Sequence, residues 1–154
     1  MKKVNIKTKA YGDYEINESE ILNFPNGILA FEEYTSYAVI TGGDDNPFHW
    51  LQSLDNENIA FLIMEPTDLV PSYQPELIKH EVVSVFKEEN SEALSLWCIL
   101  TIPQGHPEKM TINMQGPLLI SKTKKLGGQF ISNDDSHQVR MPVLELAETG
   151  EIIA

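Results

Sequence analysis

The segment Met110-Thr111-Ile112-Asn113-Met114-Gln115-Gly116-Pro117-Leu118-Leu119-Ile120-Ser121 constrains the fold more than any other. Side chains of a strand alternate between two faces. Met110, Ile112, Met114, Leu118 and Ile120 share one face, and Thr111, Asn113, Gln115 and Ser121 share the other. Gly116-Pro117 interrupts a ladder, because proline has no N–H to donate. The apolar phase is nevertheless unchanged across it, whereas a one-residue bulge would have shifted that phase. The segment therefore reads as one strand, bent at Gly116-Pro117, with a single inward face. At ~3.3 Å per residue it spans roughly 40 Å, beyond the usual strand. In a small domain such a strand is expected to turn a corner, as in a barrel or an orthogonal sandwich.

The remaining elements agree. Alternation reads as strands over Val4 to Lys9, Tyr14 to Ile16, Ile21 to Phe24, Ile28 to Phe31 and Tyr37 to Thr41, with turn signals at Gly12-Asp13 and Pro25-Asn26-Gly27. Phe48 to Leu54 and Ile59 to Met64 read as a strand pair. Glu65 to Pro75 holds three prolines and reads as loop with one helical turn capped by Thr67 or Asp68. Pro75 to Glu81 reads as a short helix with proline at its first position. Val82 to Phe86 and Leu94 to Ile102 read as a hairpin, Gly127-Gly128 as a turn before Gln129 to Ile131, and Gln138 to Val143 as a last strand. The expectation is one all-β domain over residues 1–154, a small β-barrel-like fold of about ten antiparallel strands with one or two short helices.

Charge narrows the partners. The net charge is −12, which disfavours direct nucleic-acid binding, where phosphate neutralisation supplies much of the affinity. Between Asp44 and Glu92 stand eleven acids against Lys79 and Lys87, a net of −9 in that segment and −3 elsewhere. One reading is a solvated surface that favours solubility; the other is a patch that steers a basic partner. Apolar runs such as Leu96 to Leu100 are far too short to cross a membrane. Met1-Lys2-Lys3 is followed by no apolar stretch of the kind that marks export. Cys98 is the single cysteine, so no intrachain disulfide or thiolate cluster can form. A reducing, cytoplasmic setting is expected.

The chemistry-bearing residues form no catalytic or metal pattern. His49, His80, His106 and His137 lack metal-ligand spacing. Gly42-Gly43 has no Lys-Ser/Thr after it to make a phosphate loop, and no cofactor is expected. Cys98, between Trp97 and Ile99, reads as a buried, inert thiol, and the two tryptophans as core. Tyr73, among loop prolines, reads as an exposed contact. Two alternatives compete with a protein-binding role. One is a small hydrolase using Asp44 or Asp45 with a histidine, which needs both in one pocket within hydrogen-bond reach. The other is a carbohydrate-binding domain, which needs coplanar exposed aromatics.

Several stretches resemble the flagellar assembly factor FliW family. They are Ile21-Leu22-Asn23-Phe24-Pro25-Asn26-Gly27-Ile28, Pro47 to Ser53, Pro71-Ser72-Tyr73, and Asn113 to Ile120 with Gly127-Gly128-Gln129. Ala30, Gly116 and Ser121 stand where that family tends to have Gly, Ala and Asn. The resemblance implies a β-barrel-like fold without catalysis. It also implies two mutually exclusive cytoplasmic partners: flagellin before export, and CsrA, a basic RNA-binding regulator that blocks translation of flagellin message. Free FliW-like protein would capture CsrA and relieve repression, at a site apart from the RNA rather than by mimicking it. The motif positions carried to the partner surface are Phe48, Gln52 and Tyr73; Asp68 and Glu76 are added on charge alone.

Overall fold

The structure, a computed structural model, describes residues 2–41, 43, 45–87 and 94–152. A closed ring of seven strands forms its centre. Strands β4 (Ser36–Thr41), β5 (His49–Ser53), β6 (Ala60–Met64) and β7 (Ser95–Thr101) run as an antiparallel meander. The ring continues from β7 to β9 (Leu118–Ser121), β10 (Leu126–Gln129) and β3 (Leu22–Asn23), and returns to β4. All pairings are antiparallel except β3 with β10, which is parallel at Leu126 and Asn23. The expected barrel is therefore present, with that one parallel seam.

Alternation along the strands separates the barrel interior from its outer surface. Phe24, Tyr37, Leu51, Ile63, Trp97, Leu118 and Ile120 are buried inside. The outer surface is buried too, in three patches. The hairpin of β1 (Lys3–Thr8) and β2 (Gly12–Asn17) covers Ala38 and Ile40 with Ile6 and Ile16. Helix α1 (Lys79–Phe86) lays Val82 and Phe86 on Leu119 and Phe130. The loop after β6, strands β8 (Thr111–Ile112) and β11 (Met141–Pro142) and helix α2 (Val143–Thr149) close the third patch over Met64, Cys98 and Leu100.

Met110 to Ser121 is two strands, not one, and it does not keep a single inward face. Both strands pair with β7: Leu118 opposes Trp97, and Ile112 opposes Leu100. Between these pairs β7 has two residues, 98 and 99, whereas the facing chain has five, 113–117. Three extra residues, an odd number, reverse the phase relative to β7. The even-numbered Ile112, Met114, Leu118 and Ile120 are buried as expected, but Met110 is only half-buried and Leu119 and Ser121 of the other face are buried too. Ile112 and Met114 enter the outer core and Leu118 and Ile120 the barrel. The side chain of Asn113 builds the detour, its Oδ1 accepting the N–H groups of Gln115 (3.1 Å) and Gly116 (2.8 Å). The Gln129 amide locks it: Nε2 donates to the Gly116 carbonyl (3.0 Å) and Oε1 accepts the Leu29 N–H (2.9 Å).

Four smaller expectations are corrected. Val82 to Phe86 is the body of α1 rather than a strand, because its apolar residues fall at the i, i+4 spacing that faces the barrel. Residues 28–31 form turns with one Ile28–Phe31 bridge. Gly127 and Gly128 lie inside β10, and a side chain at 127 would sit 2.4 Å from the Phe24 ring. Near the C-terminus only Met141–Pro142 is extended before α2 begins.

Candidate functional site

One end of the barrel opens into a cleft of about 810 Å³. The last rung of the β4–β5 ladder, Thr41 opposite His49, lies in its lining. The His49 and Trp97 rings lie against each other edge to face, 5.1 Å between centroids at 83°. Trp97 spends its N–H on Ser95 Oγ (2.9 Å). His49 Nδ1 is enclosed and has no hydrogen-bond partner among the described residues. Val39, Leu22 and Ile120 supply apolar wall, and Tyr14 and Ile16 of β2 flank the opening. Among the described residues, Glu15, Glu20, Asp45, Glu65 and Asp68 border the cleft, with Lys3 and Lys122 as the bases. Lys3 is already paired with Glu15 at 3.4 Å, and the Glu20 carboxylate accepts the Asn17 N–H.

The five expected partner residues separate. Asp68, on the turn Pro66–Asp68 after β6, is exposed at the cleft rim. No side-chain cap holds that turn, contrary to the expected role of Thr67 or Asp68. Phe48 is half-buried against the outer core, between Pro47 and His49 of the cleft lining. Glu76 is exposed beside residues 132–133, where its N–H donates to Ser132 Oγ and its carbonyl accepts from Asn133; it is absent from the cleft lining.

The side chains of Gln52 and Tyr73 are buried inside the protein. Gln52 is 1% exposed. Its Oε1 accepts the Lys9 N–H (2.9 Å), and its Nε2 lies within bonding distance of the carbonyls of Ser53, Glu57 and Ile59. It ties the β1–β2 hairpin to the barrel. Tyr73, expected as an exposed contact, is 5% exposed, and its hydroxyl donates to the Met114 carbonyl at 2.7 Å. Burial drives the Tyr73 hydroxyl pKa well above its usual value, and burial pushes the Cys98 thiol up to about 12. Cys98 is the unreactive thiol expected of it. The local signal missed at Tyr73 was the apolar Leu69-Val70 before it, which anchors the loop and carries Tyr73 inward.

Two constellations bear on hydrolysis. Asp45 and His49 both line the cleft, yet His49 Nδ1 has no partner among the described residues; Asp44 lies outside them. Ser132 Oγ lies 2.7 Å from His137 Nδ1, and His137 Nε2 lies 3.6 Å from Asp134. Ser132 is 3% exposed, and its oxygen already accepts the N–H groups of Glu76 (3.0 Å) and Asp134 (3.4 Å). That leaves the hydroxyl proton for Nδ1 and makes the group a clasp between two loops rather than a presented nucleophile. Hydrogen bonds from the Ser136 side chain and backbone hold the Asp134 carboxyl below the ordinary range, with a smaller contribution from His137. Among the described residues no group of three His, Cys, Asp or Glu is arranged to hold a metal ion.

A seven-stranded barrel wrapped by a hairpin and two helices, with an acidic open end, defines a small β-barrel protein. Its relatives identify the family. The sequence profile described as FliW protein matches residues 5–143. The flagellar assembly factor FliW of Leptospira interrogans serogroup Icterohaemorrhagiae serovar Lai (strain 56601) is 40% identical over 144 residues, covering 94% of this chain and 95% of that one. The flagellar assembly factor FliW of Thermosipho africanus (strain TCF52B) is 36% identical over 136 residues, 88% of this chain and 93% of the other. A crystal structure of the flagellar assembly factor FliW superposes with a TM-score of 0.81 at 28% identity, over 91% of this chain and 96% of that one. The chain belongs to the FliW family of flagellar assembly factors.

Proposed function

We propose that this flagellar assembly factor is a non-enzymatic, cytoplasmic regulator with two mutually exclusive protein partners. It binds flagellin before export. When free of flagellin it binds a CsrA-like RNA-binding repressor and relieves repression of flagellin translation. Family membership carries this reading. The acidic border of the barrel mouth supports it, since a basic RNA-binding protein is what such a border attracts. No helix among the described residues is long and apolar enough to cross a membrane. Antagonism at a site apart from the RNA is favoured over phosphate mimicry, because the cleft mixes carboxylates with aromatic and aliphatic wall instead of forming a regular acidic track.

Linkage supplies the test. Purified protein, repressor and labelled flagellin leader RNA are combined at saturating RNA. A ternary complex, with RNA and protein weakening each other by the same finite factor, is the expected result. Apparent weakening that grows without limit as RNA is added would mean that the sites overlap. Flagellin added to the protein–repressor complex should release the repressor, and coexistence of all three proteins would defeat mutual exclusion.

A further inference from the structure

We propose that the free edge of β2 takes an added β-strand from the basic protein partner, an inference that rests on the function proposed above. The N–H of Glu18 donates to the Lys2 carbonyl (2.9 Å), which makes residues 18 and 2 a hydrogen-bonded pair of the hairpin. The ladder keeps that register from Lys3 opposite Asn17 to Thr8 opposite Gly12. Hydrogen-bonded and non-bonded pairs alternate along an antiparallel ladder. Even-numbered residues of β2 therefore spend their main-chain groups on β1, and Asp13, Glu15 and Asn17 turn theirs outward. The Asn17 N–H agrees with this parity, since the Glu20 carboxylate rather than β1 accepts it (3.0 Å). Among the described residues nothing meets the main-chain N–H and C=O of Asp13 or Glu15.

The other open edges are less suited to pairing. β11 has two residues, one of them Pro142, whose missing N–H breaks a ladder. Past the end of β1 the Lys9 N–H is held by Gln52 Oε1 (2.9 Å). β2 carries no proline, and Tyr14, Glu15, Ile16 and Asn17 line the barrel-mouth cleft, so space lies beside that strand. β1 itself shows what kind of strand β2 accepts. Its Val4 and Ile6 face the barrel with Tyr14 and Ile16, while Lys3 and Lys7 on the outer face pair with Glu15 (3.4 Å) and Asp13 (3.2 Å). Both carboxylates are more than half exposed and can accept from more than one base. A strand on the far side that repeats this alternation sets bases beside Asp13 and Glu15 and apolar side chains beside Tyr14 and Ile16. A second copy of β2 would instead bring the same acids together. The occupant is accordingly an extended segment of a basic protein, its bases alternating with apolar residues. Main-chain bonds supply its affinity and the side chains its specificity.

Amide exchange reads this edge residue by residue. The isotope-labelled protein is mixed with the purified repressor, with a blocked peptide of the β1 sequence from Lys3 to Lys9, or with a counterpart bearing glutamate at each lysine. Repressor and lysine peptide should each slow exchange of the Asp13 and Glu15 amides at least tenfold, and the glutamate peptide should not. Replacement of β1 by the peptide would leave those two amides unprotected, because β1 bonds the even-numbered residues, and that result overturns the proposal. Protection that appears without ligand as the protein is concentrated means self-pairing and overturns it too. Glu15→Pro removes an outward N–H but no bond of the β1–β2 ladder, and should weaken both ligands at least tenfold. Asp13→Lys with Glu15→Lys, at exposed positions, should do the same by charge and carries the test if proline lowers the thermal melt. Undiminished repressor binding by these variants overturns the edge proposal and leaves the functional reading standing. Protection by the lysine peptide without any repressor binding to the parent protein does the reverse.

Discussion

The two faces of β7 bury cores that are closed in different ways. Inside the barrel, Trp97 and Leu118 sit among side chains held by strands whose backbone groups pair around the ring. Outside, Cys98, Leu100, Ile112 and Met114 are roofed by a proline-rich loop, two-residue strands and a short helix. That roof is fastened by the two-residue ladders of β8 with β7 and β11 and by scattered hydrogen bonds: Tyr73 to the Met114 carbonyl, Glu76 with Ser132 and Asn133, and Ser132 with His137. The inner core can open only by breaking ladders. The outer one can open by breaking only two-residue ladders and a few scattered hydrogen bonds, the kind of segment that opens locally before global unfolding. The segment at the rim of the cleft, with Glu65 and Asp68, leads directly into this looser roof.

Lysine substitutions test the contrast most strongly. Leu118→Lys and Met114→Lys each place an unpaired charge in a core and are expected to cost about 3–5 kcal/mol by denaturant titration. Thr111→Lys, at a half-buried position, should cost far less. In native conditions Met114→Lys should expose Cys98 to alkylation while β4–β6 amides stay protected from exchange. Equal loss of protection in both regions would make the two cores one cooperative unit.

Next in size is Tyr73→Phe, which strands the buried Met114 carbonyl and should cost ~1–3 kcal/mol. Repressor affinity should be unchanged, because the lost hydroxyl lies inside the protein. A tenfold loss of affinity at preserved stability would return Tyr73 to the partner surface. Ala30→Gly acts in the opposite direction. Ala30 adopts φ of 75°, a left-handed conformation that costs a residue with a Cβ roughly 1–2 kcal/mol. The change should raise the denaturation midpoint by about 1 kcal/mol of stability, and any decrease would show that the strain is offset by contacts of the methyl group.

The smallest effect concerns acid. A carboxyl held below its ordinary value contributes stability above the usual range near pH 4, lost as pH falls through the folded value. Asp134 is such a group, so Asp134→Asn should lower stability slightly at neutral pH, leave it nearly unchanged in strong acid, and thereby shallow the acid limb of the stability profile. An unchanged acid limb would remove Asp134 from the loop clasp.

By itself the sequence determined the burial of Ile112, Met114, Leu118 and Ile120, the barrel class, the inert cysteine and, through its motifs, the family. Alternation and composition are local, and burial follows them. The tertiary structure decided which core each residue enters, because the odd insertion at 113–117 acts only relative to β7, a strand distant in sequence. It decided the roles of Gln52 and Gln129 as well. Their amides bind backbone 43 and 100 residues away, so the motifs that disclosed the family are in part tethers rather than contacts. It also turned Tyr73 inward and gathered Asp45, Glu65 and Asp68 at one mouth, since closing a ring of strands brings together loops that no sequence period relates.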